Sequence, residues 1–118
     1  MRKTSRSRTT TKSAGVRTPT HRISTHPGEI LKEEFLDPHG LSINRAASLM
    51  RVTADRVSKI TRRERSITAD TAMRLSRLLG TTAEFWLNLQ MAYDLSKARQ
   101  EIYKKVEREV IPLAEDVA

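Results

Sequence analysis

The sequence of 118 residues contains no cysteine. This absence excludes disulfide bonds, thiolate zinc sites and thiol nucleophiles, and it permits a reducing cytosol. The sequence also lacks an apolar run of about 18 residues, the length that a transmembrane helix needs, so it predicts no membrane-spanning segment. Its basic N-terminal segment has no apolar stretch of the kind found in a secretory signal. We therefore expect a cytoplasmic protein that does not associate with a membrane.

Glycine, histidine and aromatic residues are also scarce. The four glycines cannot form a convincing glycine-rich phosphate loop. The histidines, which show no spacing typical of metal ligands, are His21, His26 and His39. Phe85 and Trp86 lie in a helical apolar stripe, which favours packing in a core or a dimer interface over stacking on bases. Because no catalytic constellation is present, we expect a protein that is not an enzyme and that needs no cofactor or metal.

Positive charge is concentrated in the first 25 residues. The formal net charge of the chain is +8, and residues 1–25 contribute +7 of it because they hold seven basic residues and no acidic one. These residues have almost no apolar side chains to bury, which predicts a basic, disordered tail. Two interpretations remain open: a solubilising tail without a further role, or an arm that follows a phosphate backbone.

From residue 26 onward, apolar residues recur at helical spacing and are separated by good helix caps. The pattern predicts five helices, which begin at Pro27 and after Ser42, Thr53, Thr68 and Thr82. Gly80 is suited to end the fourth helix. A sixth helix is predicted from the stripe Ala98, Ile102, Val106 and Val110, with Pro112 as its end. No strand-like alternation appears, so the sequence predicts an all-α fold.

The expected organisation has three parts: a basic flexible tail (1–25), a helix-turn-helix domain (26–95) and a C-terminal helical extension (96–118). The apolar stripe of the sixth helix must pack against something. The sequence leaves open whether it packs on its own domain or on another polypeptide.

The segment RVTADRVSKITRRERSIT, residues 51–68, combines a short apolar face with a basic outer surface. Val57 and Ile60 are placed to face inward, and only two acidic residues oppose six basic ones. The six are Arg51, Arg56, Lys59, Arg62, Arg63 and Arg65. This pattern is typical of a helix-turn-helix, whose second helix enters the major groove of DNA. A solvated helix face is the plainer interpretation, but the basic excess starts at the turn and stops at Thr68, which favours DNA contact.

The residues that we predict to contact DNA lie on the second helix of this motif and on either side of it. Lys59 and Arg56 could donate to guanine edges or phosphates, and Asp55 could accept from a cytosine amino group or support the start of the helix. The three arginines after the helix are placed where a loop can straddle phosphates. The full predicted set is Asn44, Thr53, Ala54, Asp55, Arg56, Ser58, Lys59, Arg62, Arg63 and Arg65.

Three segments resemble the HigA-type antitoxin branch of the λ-repressor-like (Cro/C1-type) helix-turn-helix proteins. They are HPGEILKEEFL, LSINRAASLMRVTADRVSKI and ITADTAMRLSRLLGTTAEFWLNLQMAYDL, and the last is the most specific. The resemblance covers roughly residues 26–97 and implies a five-helix DNA-binding domain, a homodimer and a double-stranded DNA operator in the promoter of its own operon. Such a protein would be associated with the nucleoid through DNA. The resemblance also implies a partner, a small RelE-like toxin that cleaves mRNA on the ribosome.

The sequence departs from the family pattern in the motif itself. Arg51 stands in the turn where glycine is usual, and Arg62 and Arg63 replace a pair similar to Asn-Gly. Ile43 and Ala54 stand where related repressors often have glutamine. These departures affect the operator sequence more than the fold. Two alternatives remain: an orphan helix-turn-helix transcription factor without a toxin, and an RNA-associated basic protein, which the lack of aromatic residues in the tail argues against.

Overall fold

The computed structural model describes residues 22–116, with side chains through residue 114. The described part of the chain is built from helices and contains no strand, which confirms the predicted all-α fold. It divides into two compact units, of which Ser24–Asp94 carries the helix-turn-helix, while residues from Leu95 onward belong to the other. The prediction of a flexible tail falls almost entirely on residues 1–21, which lie outside the described residues.

The first five helices begin where the sequence predicts. Helix α1 spans Pro27–Ile30 and continues as a π-helical segment, Leu31–Leu36. The other helices are α2 (Ile43–Met50), α3 (Ala54–Thr61), α4 (Ala69–Leu79), α5 (Ala83–Glu109) and the short α6 (Leu113–Asp116). The Oγ of Ser42 accepts a hydrogen bond from the N–H of Arg45 at 3.0 Å. Equivalent bonds to Thr53, Thr68 and Thr82 confirm the other three predicted caps. Each satisfies an N–H that the first turn of a helix leaves unpaired.

The second half of the first helix differs from the sequence expectation. In the segment Leu31–Leu36 the turns are π-helical, and the N–H that follows, of Asp37, donates to the carbonyl of Lys32 at 2.9 Å. Residues five apart lie on different faces of an α-helix with about 3.6 residues per turn. The wider π turn lets Leu31 and Leu36 both face the core, where both are fully buried.

The core of the unit Ser24–Asp94 contains Trp86, which is fully buried. The rings of Phe35 and Phe85 pack against its indole at centroid distances of 5.3 and 5.0 Å. The indole Nε1 donates to the Oγ1 of Thr81 at 2.7 Å, so its polar atom is satisfied. The aliphatic part of the core consists of Leu31, Leu36, Ala46, Ala47, Met50, Val57, Ile60, Ile67, Ala72 and Leu75. Leu49, an apolar residue of α2 beside the buried Met50, is exposed.

A buried amide ties α5 to the loop that precedes α4. The Oε1 of Gln90 accepts a hydrogen bond from the N–H of Ile67 at 2.8 Å. Its Nε2 donates to the Oδ1 of Asp94 at 2.9 Å and lies 3.4 Å from the Oγ of Ser66. A buried polar group without a partner costs about 1–3 kcal/mol, so these bonds stabilise the attachment of this loop to α5.

The predicted sixth helix does not form separately. Ala98, Ile102 and Val106 lie in the second half of α5, a continuous helix of 27 residues, and Val110 follows its end. No glycine or proline occurs within Ala83–Glu109, so nothing in the sequence interrupts the helix before Pro112. Three members of the predicted stripe, Ile102, Val106 and Val110, are exposed. Within residues 22–116, no helix combines the length and the apolar character needed to cross a membrane.

The turn between α2 and α3 contains an arginine in a backbone conformation that favours glycine. Arg51 ends α2 with φ of 62°, in the left-handed region, which costs a residue with a Cβ about 1–2 kcal/mol. We therefore expect Arg51→Gly to raise the free energy of unfolding by about 1 kcal/mol, after the entropy that glycine loses on folding is subtracted. Urea unfolding followed by circular dichroism measures this change.

The matched control for that prediction is Arg45→Gly, because Arg45 is an exposed residue inside α2. Glycine there should lower the free energy of unfolding by about 1 kcal/mol. A loss of stability in both variants would contradict the assignment of strain to Arg51.

Candidate nucleic-acid interface

Helices α2 and α3 form a compact helix-turn-helix. The N–H of Val52 donates to the carbonyl of Ala47 at 3.0 Å, and the left-handed Arg51 reverses the chain so that Thr53 can cap α3. The small side chain of Ala47 allows close approach of the two helices, and Val57 and Ile60 bury the inner face of α3. The opposite face of α3 is therefore presented to solvent.

The outer face of α3 carries charged side chains that are held by weak local contacts. The Nζ of Lys59 lies 3.3 Å from the Oδ2 of Asp55, one helical turn earlier. The Nη1 of Arg62 donates to the Oγ of Ser58 at 2.8 Å. Exposed ion pairs of this kind contribute about 0–1 kcal/mol, so DNA groups can replace these partners at little cost.

The loop after α3 places three arginines close together in the chain. Arg62 forms an ion pair with Glu64 at 3.2 Å, and Arg63 pairs with Glu29 at 3.3 Å. Arg63 has φ of 64°, so it takes up the left-handed position for which the family's usual glycine is suited. Arg65 is exposed. The loop therefore extends the basic surface beyond the end of α3.

Arg56 is placed differently from the other predicted DNA contacts. Its Nη1 donates to the Oδ2 of Asp70 at 2.8 Å and to the Oγ1 of Thr71 at 3.3 Å. Its side chain is 27% exposed, compared with 45% for Lys59 and 54% for Arg62. The structure thus directs Arg56 toward α4, in contrast to the outward-facing Lys59.

Three further predicted contacts flank the basic surface. Asn44 is exposed in the first turn of α2. Thr53 is exposed, and its hydroxyl accepts from the N–H of Arg56 at 3.1 Å as the cap of α3. Ala54 is half-buried and packs against the core. The roles of all ten predicted residues on DNA stay predictions.

Sequence reasoning missed a charged network that joins the motif to α4. Asp70 contacts Arg56 from α3 and also Arg74, whose Nε lies 3.1 Å from the Oδ2 of Asp70. The Nη1 of Arg74 donates to the carbonyl of Met50 at 2.8 Å, at the end of α2. The hydrogen bond from Arg56, followed by that from Arg74, holds the pKa of the Asp70 carboxyl below its usual value. The spacing of Asp70 and Arg74 was visible in the sequence, but the contact with Arg56 depends on tertiary structure.

Comparison with known proteins identifies a family whose members share this helix-turn-helix. A helix-turn-helix family model matches residues 31–86. Virulence-associated protein I of Dichelobacter nodosus is 50% identical over 91 residues, which are 77% of this chain and 82% of that protein.

Solved structures agree with this match. An addiction module antidote protein of the HigA family from Coxiella burnetii is 48% identical, with a TM-score of 0.72 over 77% of this chain and 99% of that one. The Pseudomonas aeruginosa antitoxin HigA, solved with the higBA promoter, is 44% identical, with a TM-score of 0.72 over 75% of this chain and 97% of that one.

Proposed function

Because this chain belongs to the HigA family of helix-turn-helix antitoxins, we propose that it represses its own operon by binding an operator in the promoter. Proteins of this family are DNA-binding regulators and not enzymes. The observation that carries the proposal is the surface formed by the outer face of α3 and its C-terminal end, where Lys59 and Arg62 are exposed. Val57 and Ile60 fix the opposite face of α3 in the core. The promoter complex of the Pseudomonas relative supports it.

On the operator, α3 lies in the major groove. Lys59 exchanges its contact with Asp55 for a base edge, which it reads as a hydrogen-bond donor. Ser58 and Asp55 lie beside it on α3 and complete the reading face. Arg62, Arg63 and Arg65 contact phosphates and position the helix without reading sequence directly. Asn44 and Thr53, at the starts of the two helices, contact the phosphates on the other side of the groove.

The proposed binding form is a two-fold homodimer. Ile102 and Val106 are exposed apolar residues one helical turn apart on the second half of α5, and the exposed Val110 follows directly after the end of the helix. Such a stripe requires a partner surface. A symmetric pair can set two recognition helices about 34 Å apart, one turn of DNA. Light scattering should give the mass of a dimer at tens of micromolar, and a monomer with and without DNA would reject this part of the proposal.

The proposed protein partner is a small RelE-like toxin. Membership of the HigA family supports this partner, and a toxin bound to the antitoxin would be kept from mRNA. Co-expression with the adjacent reading frame followed by a pull-down tests it. Recovery of no complex, together with intact DNA binding, would instead favour an orphan transcription factor.

Operator binding is tested with duplexes of the DNA upstream of the first reading frame of its operon. Binding isotherms should show clear preference for one such duplex over a scrambled duplex of equal length and composition, and this preferred duplex is the operator used below. The salt concentration must be the same for both, because phosphate contacts make affinity strongly salt-dependent. Equal affinity for both duplexes would reject sequence-specific repression.

The basic tail should add phosphate contacts that are independent of sequence. Residues 1–25 hold seven basic and no acidic residues, so deletion of residues 1–24 should weaken binding to operator and scrambled duplexes alike. The plot of log K against log salt should also become shallower, by about 0.9 for each phosphate that the tail no longer neutralises. A tail of equal length with every basic residue replaced by glutamine is the control and should behave like the deletion. An unchanged salt slope would identify the tail as a passive solubiliser.

A further inference from the structure

Asp70 joins three helices through a single carboxylate. It lies in the first turn of α4, where its Oδ2 accepts from the Nη1 of Arg56 on α3 at 2.8 Å. Its two oxygens also accept from the Nε of Arg74 at 3.1 and 3.2 Å. Since Arg74 holds the carbonyl of Met50 at the end of α2, the network connects both helices of the motif to α4.

The contact with Asp70 holds the guanidinium group of Arg56, which lies on α3, the proposed recognition helix. Arg56 is on α3, three residues before Lys59, and its guanidinium is half-buried against Asp70 and Thr71. A guanidinium released from these partners would extend toward solvent at the edge of the basic surface. It would then be a strong phosphate ligand, because an arginine binds phosphate oxygens with several donors at once.

Stability alone does not account for this arrangement. The carboxylate of Asp70 is more than half exposed, and a single exposed ion pair contributes little to stability. The effect on side-chain orientation is larger than the effect on stability, because the Asp70 carboxylate fixes the directions of both the Arg56 and the Arg74 guanidinium groups. A phosphate contact strengthens binding to any duplex. If Arg56 does not contact phosphates, base contacts therefore contribute a larger fraction of the total binding free energy.

From this geometry we infer that Asp70 is a specificity-determining residue that acts through Arg56. It holds the Arg56 guanidinium against α4 and away from DNA phosphates, so that Lys59 and its neighbours dominate recognition. Asp70 is thus a positioning residue and contacts no DNA itself. The inference rests on the proposed function, since it concerns how α3 distinguishes an operator from other DNA.

The test compares Asp70→Ala with the double variant Asp70→Ala/Arg56→Gln on operator and scrambled duplexes over a range of salt concentrations. Asp70→Ala should raise affinity for the scrambled duplex by about eightfold at about 0.1 M salt, the effect of releasing one more counterion. The slope of log K against log salt should steepen by about 0.9, and the ratio of operator to scrambled affinity should fall. The double variant should return the slope to the wild-type value.

The control variant is Asp37→Ala. Asp37 is 57% exposed and pairs with Lys32 at 2.9 Å, whereas Asp70 is 55% exposed and pairs with Arg56 at 2.8 Å. The two substitutions therefore remove the same charge from similar ion pairs. Asp37→Ala should leave the salt slope and the specificity ratio unchanged, and circular dichroism should show a native helical content for every variant.

Each other outcome has a definite meaning. Equal loss of affinity for both duplexes in Asp70→Ala would show a purely structural role and overturn the inference. If Asp37→Ala raised the affinity for the scrambled duplex as much as Asp70→Ala does, the effect would be a general one of net charge, and the inference would also be overturned. A wild-type protein without preference for the operator would reject the proposed function, whereas wild-type preference with an unchanged ratio in Asp70→Ala would reject the inference alone.

Discussion

Lys59→Ala is expected to weaken binding to the operator by about 1–3 kcal/mol and to relax the preference at one base-pair position. Lys59 stands on the exposed face of α3, where its Nζ is held only by Asp55 at 3.3 Å. A base edge in the major groove offers the ammonium group acceptors that differ between base pairs. Loss of the side chain should therefore change affinity for the operator far more than affinity for a scrambled duplex.

Arg62→Ala and Arg65→Ala should reduce DNA affinity without the loss of base-pair preference that we expect for Lys59→Ala. Both arginines are exposed after the end of α3, where we expect contacts with phosphates. Because a phosphate carries no direct sequence information, each substitution should weaken binding to operator and scrambled duplexes in similar proportion. Binding isotherms on operator duplexes with single base-pair changes, set beside those on scrambled DNA, separate the two kinds of loss.

Two controls make the comparison strict. Arg77→Ala removes one exposed positive charge from α4, outside the helix-turn-helix, and should change affinity little. Val57→Asp places an unpaired charge in the core, where Val57 is fully buried, and should unfold the domain instead of altering specificity. If Lys59→Ala and Arg62→Ala both bind every duplex as well as the wild type does, α3 is not the recognition helix.

Gly28→Ala is expected to lower the free energy of unfolding by about 3 kcal/mol, the upper end of the usual cost of overpacking. Gly28 lies in the first turn of α1, and a Cβ built on it would overlap the carbonyl group of Ile60. That carbonyl belongs to the last turn of α3 and accepts a hydrogen bond from the N–H of Arg63 at 3.0 Å. The obstacle is therefore backbone, which cannot rotate aside as a side chain can.

The surroundings of Gly28 make relief of this overlap costly. Its N–H donates to the Nδ1 of His26 at 2.9 Å, and the His26 ring is buried with its centroid 4.7 Å from that of Tyr93. This contact makes His26 the N-terminal cap of α1. A shift of α1 away from α3 would disturb both this cap and the end of the recognition helix.

The control for Gly28→Ala is Gly80→Ala. Gly80 has φ of 74° and nothing within 4 Å of an added Cβ, so its substitution tests conformational strain without a steric conflict. Its expected cost is about 1–2 kcal/mol, below that of Gly28→Ala. Thermal and urea unfolding by circular dichroism measure both variants. A change of less than about 0.5 kcal/mol for Gly28→Ala, the range of ordinary surface substitutions, would contradict the close contact of α1 with α3.

Features that depend on residues near each other in sequence could be predicted. A threonine or serine hydroxyl caps a helix through an N–H two or three residues later, so Ser42 and Thr53 were sufficient to place the starts of α2 and α3. The left-handed conformation of Arg51 follows from the tight turn that the motif requires. The exposed face of α3 is the complement of Val57 and Ile60, which the helical period assigns to the core.

Features that depend on tertiary contacts could not be predicted. Arg56 and Asp70 are 14 residues apart, and nothing in the local pattern distinguishes Arg56 from its outward-facing neighbour Lys59. The amide of Gln90 meets Ile67 from 23 residues away. The π turn in Leu31–Leu36 changes the helical period on which the interpretation of an apolar stripe depends. The stripe that begins at Ala98 predicted a separate sixth helix, whereas α5 continues through this residue to Glu109.

The burial of Trp86 provides an intrinsic fluorescent reporter. It is the single tryptophan of the sequence, and its indole is enclosed by Phe35 and Phe85 with no exposed surface. Emission excited at the tryptophan band therefore comes from one site and reports the packing between the first helix and α5. Loss of this packing should shift the emission to longer wavelength as water reaches the indole. Coincidence of that shift with the loss of helical signal would show that the core and the helices unfold in a single cooperative step.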